Sequence, residues 1–122
     1  MLINDIELKE LDIMEAETMQ KFEECINEAE KGINNEYKGL SASEIIVKKC
    51  EAINKVFDTM YGEGTSQELF KGKHNLIVSM ESYFEFISAM LEQKKKINEL
   101  EQKAKAIQNK YSSNRASRRA KN

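Results

Sequence analysis

The chain has 122 residues, 40% of them hydrophobic and 33% charged, with a formal net charge of −2. That is one domain's worth of chain with a single modest core, more charged than an average globular domain. No apolar run approaches the roughly 18–20 residues of a membrane span, and Met1-Leu2-Ile3-Asn4-Asp5 lacks the basic and apolar regions of a secretory signal. The expected location is therefore the cytoplasm. There is no Pro or Trp and only five Gly, so helix is favoured along most of the chain.

Residues 2–14 carry apolar side chains at Ile6, Leu8, Leu11 and Ile13. Two short period-two pieces joined near Lys9-Glu10 fit this pattern. So does a start at Leu2-Ile3 turning at Asn4-Asp5. Either gives a short β-hairpin or extended arm. Residues 16–31 predict the first helix, because Met19, Phe22, Ile26, Ala29 and Ile33 recur at three- and four-residue intervals. Glu15 and Glu17 favour its dipole at the start, and Gly32 is the expected stop. A polar loop follows over 34–40.

Ser41-Ala42-Ser43-Glu44 has the capping-box form. It predicts a second helix running to about Tyr61, with Ile45 or Ile46, Ile53, Val56, Phe57 and Met60 on its apolar face and Cys50 beside it. Gly62 and Gly64 end it. Thr65-Ser66-Gln67-Glu68 offers a second capping box for a short helix that ends at Phe70 and is broken by Gly72. Asn75 can cap the last helix, expected from Leu76 to near Tyr111. Its first half carries a broad stripe of Leu76, Met80, Tyr83, Phe84, Ile87 and Leu91, suited to a core. Its second half spaces Ile97, Leu100, Ala104, Ile107 and Tyr111 as heptads among Lys, Glu and Gln, over only about two heptads. A helix this polar is marginal alone in water and should lean on a partner. Self-association through the 97–111 stripe is the reading favoured.

Residues 110–122 hold five of the 19 basic residues and none of the 21 acidic ones. The predicted architecture is mainly α. It comprises a small helical core domain with an N-terminal β element over 1–93, a protruding charged helix over 94–111 and a basic disordered tail over 112–122. Arg115, Arg118 and Arg119 fall on neighbouring positions if that tail becomes helical. They are candidates for docking a protein partner, beside the plainer role of a solubilising tail. Without interleaved aromatics they are a weak nucleic-acid signal.

No residue set spells out catalysis or a cofactor. Gly62-Glu63-Gly64 lacks the third glycine and the preceding strand of a dinucleotide fingerprint. His74 is the only histidine, and no partner stands at the spacing that metal binding or acid–base work requires. Cys25 and Cys50 are too few and too far apart for a zinc site or a disulfide framework, and they fit a reduced compartment. Acidic pairs such as Glu23-Glu24 read as solvated helix faces. Phe57, Tyr61, Phe70, Tyr83, Phe84 and Phe86 cluster around the central turn, where core packing is the expected role. The catalytic, cofactor and metal sites are thus expected to be none, and the candidate partner-binding residues are Ile97, Leu100, Ile107, Arg115, Arg118 and Arg119.

Several segments together resemble the tail assembly chaperones of long-tailed bacteriophages and prophages of low-GC Gram-positive hosts. They are the extended start through Leu11-Asp12-Ile13, the first amphipathic helix, Phe57-Asp58-x-x-Tyr61-Gly62-Glu63-Gly64-Thr65, Leu69-Phe70-x-Gly72 with Asn75, and the aromatic helix after it. The ending Asn114-Arg115-Ala116-Ser117-Arg118-Arg119-Ala120 is similar to short endings common in such phage proteins. Two departures stand out. Lys71 occupies a place where a glycine or small residue is expected, and the charged 94–110 segment is longer than expected. The resemblance implies a non-catalytic assembly factor that coats the tape-measure protein before the tail-tube protein polymerises around it. It implies a protein displaced as the tube grows, found in the host cytoplasm and absent from the mature virion. A virion component such as a tail-completion or connector protein, and a small nucleic-acid-binding regulator, are the alternative readings.

Overall fold

The computed structural model describes the backbone of residues 1–120 and the side chains of residues 1–111. The chain forms two units, Met1–Met90 and Leu91–Asn122.

The first unit opens with β1 (Leu2–Ile3) and β2 (Ile6–Glu7), an antiparallel pair in the register Leu2↔Glu7 and Ile3↔Ile6. Of the two arrangements the sequence allows, the turn is at Asn4-Asp5. Both residues have positive φ, 48° and 64°. Asn and Asp tolerate that geometry, and such a turn matches the strand twist. The Asn4 side-chain amide donates to the Leu69 carbonyl at 2.8 Å, which ties the hairpin to a segment far along the chain. Ile3, Leu8 and Ile13 are buried, so the extended stretch after the hairpin also serves the core.

Helix α1 (Ala16–Asn34) buries Phe22 and Ala29, while Met19, Ile26 and Ile33 pack against the core half-buried. The expected stop at Gly32 is not one, since α1 runs through it to Asn34. Gly32 instead sits where α1 meets α2 (Ala42–Tyr61): a Cβ placed there would fall 2.6 Å from the Cβ of Ala52. Glycine is required by close approach of the two helices and not by its backbone angle. Both halves of the capping box at the start of α2 are formed, with the Glu44 amide donating to the Ser41 hydroxyl at 3.3 Å. Cys50, Ile53, Val56, Phe57 and Met60 make its buried face. Gly62, at φ 112°, ends it.

Helix α3 (Thr65–Phe70) ends at Phe70 as the sequence predicts and departs from the expectation at its start. Its N-cap is Gly64, and no side-chain cap bond comes from the Thr65-Ser66-Gln67-Glu68 box. Asp58, one turn before the end of α2, supplies the acceptors. Its Oδ1 takes the Ser66 N–H and its Oδ2 takes the Ser66 hydroxyl, both at 2.8 Å. A carboxylate at a helix start also complements the helix dipole. At the other end, Lys71 stands in the left-handed region at φ 54°. That conformation favours glycine, and it accounts physically for the expectation of a small residue at this place.

Asn75 begins α4 (Leu76–Ala120) by accepting the Val78 N–H at 3.2 Å. Helical backbone continues to Ala120, past Tyr111, where the sequence predicts the end of the helix. Within the first unit, α4 buries Ser79, Ser82, Tyr83, Phe86 and Met90. The stripe expected from the sequence is rotated relative to this face, because Phe84 is exposed and Met80 and Ile87 are only half-buried. Phe86 is the hub of the core. Its ring lies 5.6 Å from Phe57, 5.8 Å from Phe22 and 5.9 Å from Tyr61, and Phe57 in turn meets Phe70 at 5.9 Å. These tilted and edge-on pairs add to the burial of large apolar rings.

Candidate functional site

The first unit leaves one apolar line of α4 outside its core. Ile77 is 71% exposed and Phe84 55% exposed, seven residues apart on the same side of the helix. Met80, between them, and Ile87, three residues past Phe84, are half-buried and join this line to the core. The Tyr83 ring leans on Phe84 with centroids 5.6 Å apart. Glu81 and Glu85 flank the line and are exposed. The arrangement is an aliphatic and aromatic strip with an acidic border, a surface suited to the apolar face of a helix carrying basic neighbours. In the sequence Met80, Phe84 and Ile87 read as core and Ile77 is not singled out, so the strip itself is missed. The two small serines, Ser79 and Ser82, conceal the true buried face from a count of apolar residues.

The second unit is described from Leu91 to Tyr111 by its helix alone. Among the sequence-predicted partner residues, Ile97 is half-buried, Leu100 is 45% exposed and Ile107 is 70% exposed. Tyr111 is 62% exposed. Lys95 pairs with Glu92 at 2.9 Å, a bond between exposed neighbours on the helix surface. Arg115, Arg118 and Arg119 lie outside the residues whose side chains are described, as does the rest of the anticipated basic tail over 112–122.

The candidates for covalent chemistry are held in unreactive settings. Burial pushes the Cys25 thiol up to about 11, and burial also raises Cys50, with the neighbouring Ser79 hydroxyl partly opposing it. Thiols so raised are protonated at neutral pH and poor nucleophiles. His74 is exposed in the loop before Asn75. Gly62 and Gly64 serve the turn between α2 and α3. Among the described residues, no group of three or more His, Cys, Asp or Glu is placed to hold a metal ion. A groove of about 570 Å³ beside α1 and α2 is bordered by Lys21, Glu24, Cys25, Tyr37, Lys48 and Lys55. Glu28 and Glu51 also line it, so it carries three lysines and three glutamates. Among the described residues no helix is long and apolar enough to cross a membrane.

The fold defines a small, mainly α-helical protein with an N-terminal antiparallel hairpin and a long C-terminal helix. Its exposed apolar strips are the features that distinguish its surface. The chain belongs to the family of unknown function DUF6673, which it matches over residues 4–122. No match emerges to a curated protein or to a solved structure.

Proposed function

We propose that this protein is a non-catalytic assembly factor that binds a long helical partner, with the phage tape-measure protein as that partner and the tail tube as the structure whose growth it assists. The observation that carries the reading is the exposed Ile77–Phe84 strip on α4, bordered by Glu81 and Glu85. The partner's identity comes from the resemblance of the Phe57–Thr65 turn and its neighbouring segments to tail assembly chaperones. The strip supplies a physical means of contact. It is small, two turns long and backed by the core through Met80 and Ile87. Contacts of this size are individually weak, and many copies along one filament acquire avidity while each remains displaceable. Displaceability is what a factor removed during tube growth requires.

The test is co-expression with the tape-measure and tail-tube proteins encoded nearby. Several copies of this chain should elute with a tape-measure protein that is insoluble alone. Phe84→Asp should abolish the co-elution while leaving the far-UV circular dichroism unchanged, because Phe84 contributes little to the core. Absence of binding by the folded wild-type chain would remove the proposal. Retention of the protein in purified particles would instead favour a virion component.

A further inference from the structure

We infer that residues 93–111 of α4 form a short parallel coiled coil with a second copy of this chain. No tape-measure partner is needed for this pairing.

In the first unit, Leu76, Ser79, Tyr83, Phe86 and Met90 alternate at three and four residues, and the last four are buried. The same alternation runs on without a break through Gln93, Ile97, Leu100, Ala104, Ile107 and Tyr111. The spacing spans five heptads, with polar Ser79 and Gln93 at two of the d positions, and the apolar stretch outside the first unit covers about two heptads, which suits a short seam. Its first part is occupied by the chain's own core. Its second part leaves Leu100 45% and Ile107 70% exposed. An a/d stripe left in water is stabilised by a facing helix.

The flanking charges select the occupant and its direction. With Ile97 at position a and Leu100 at d, the g positions are Lys96, Lys103 and Lys110, and the e positions are Lys94, Glu101 and Gln108. In a parallel in-register pair each g residue faces the e residue five places on in the other copy. Lys96 then meets Glu101 of the second copy, twice by symmetry, and Lys103 meets the neutral Gln108. In these two pairs no like charges oppose one another, whereas Lys110 has Arg115 five places on in the sequence, a like-charge pairing that counts against the seam at its end. An antiparallel pair would set g against g, which places lysine against lysine at every step. Among the described residues of the single chain neither Lys96 nor Glu101 makes an ion pair, whereas Lys95 on the outer face is paired with Glu92. In the first heptad Ile97 at a with Leu100 at d is also the combination that favours two parallel strands, while Ala104 and Ile107 in the next heptad do not add to that preference. The opposing cost falls at the C-terminal end, where two copies of the basic 110–121 stretch come together, a repulsion that salt screens. A seam this short gives weak association, on the order of 100 μM.

Sedimentation equilibrium on the full chain, carried up to about 1 mM, tests the proposal. Monomer–dimer behaviour is expected, and a strict monomer over that range would overturn it. Leu100→Asp and Ile107→Asp should each eliminate the dimer. Both positions are exposed in the single chain, so the circular dichroism signal and thermal midpoint of the first unit should persist, and a dimer undiminished by both would sink the seam. Direction is read from Lys96→Glu. In the parallel arrangement this change sets a carboxylate at position 96 against Glu101 of the second copy and should weaken the dimer roughly fivefold to tenfold, with recovery in the double variant Lys96→Glu, Glu101→Lys. In the antiparallel arrangement the new carboxylate would face lysine, so tighter association of the single variant would overturn the parallel assignment.

Discussion

Residues 76–90 and residues 91–111 belong to the same helix and carry the same apolar spacing, yet they are buried differently. In the first stretch Ser79, Tyr83, Phe86 and Met90 are in the core; in the second, Leu100, Ile107 and Tyr111 are exposed. Their flanks show why spacing alone does not decide the outcome. Around the buried face stand Ser82 and Ala89, small enough for close approach of neighbouring elements. Around the exposed face stand Lys94, Lys96, Lys103 and Lys110, whose ammonium groups stay hydrated while their stems cover apolar surface. One stretch is filled by its own chain; the other leaves apolar positions partly exposed between charged margins.

The largest effect that tests this contrast is on Phe86. Phe86→Ala leaves a hole among Phe22, Phe57 and Tyr61 and should cost about 3–5 kcal/mol. Leu100→Ala in the exposed stretch should change the stability of the single chain by less than about 0.5 kcal/mol. Urea denaturation at low protein concentration measures both, and equal costs would break the comparison. Gly32→Ala comes next. Overlap with Ala52 forces α1 and α2 apart at a cost of about 1–3 kcal/mol, offset in part by the better helix propensity of alanine, roughly 1 kcal/mol. Adding Ala52→Gly should recover much of the loss if the contact is the cause.

Asp58→Ala removes both acceptors at the start of α3 and should cost about 1–2 kcal/mol. Hydrogen exchange should show the Ser66 amide losing protection first. The smallest effect is on pH dependence. Burial raises the Cys25 thiol from 9.0 to about 11 and the Tyr83 hydroxyl from 10.0 to about 12. Below pH 9 the thiol is protonated in folded and unfolded chains alike, and the favourable burial of its neutral form is fully present. Above pH 9 the unfolded chain releases that proton first, so stability falls as pH rises toward 11. Thermal midpoints across this range should decline, and Cys25→Ser should make the decline shallower.

Much of the fold is legible in the sequence because its signals are local. The Ser41–Glu44 capping box, the α2 face from Ile53 to Met60, the Gly62 stop and the Asn75 cap all follow from residues within a few turns of one another. The features that mislead are those set by distant neighbours. Gly32 reads as a stop because nothing near it in sequence announces Ala52. The Thr65–Glu68 box suggests a cap that Asp58 in fact provides, since the pattern holds the right residue types but not the packing that lets a carboxylate eight residues away arrive first. Phe84 reads as core because aromatics outweigh serines in any apolar count, although Ser79 and Ser82 are the buried residues. The candidate site is legible in part. Heptad spacing picks out Leu100 and Ile107, whereas the Ile77–Phe84 strip emerges only once the rotation of α4 is known.

The bond from Asn4 to the Leu69 carbonyl carries a consequence for how the molecule is made. In synthesis the hairpin, with Ile3, Leu8 and Ile13, is made before α3, which follows it by about sixty residues. Contacts of such large sequence separation form late and slow the folding of a domain. Docking of the hairpin through this bond therefore completes only once residue 69 has been made and placed.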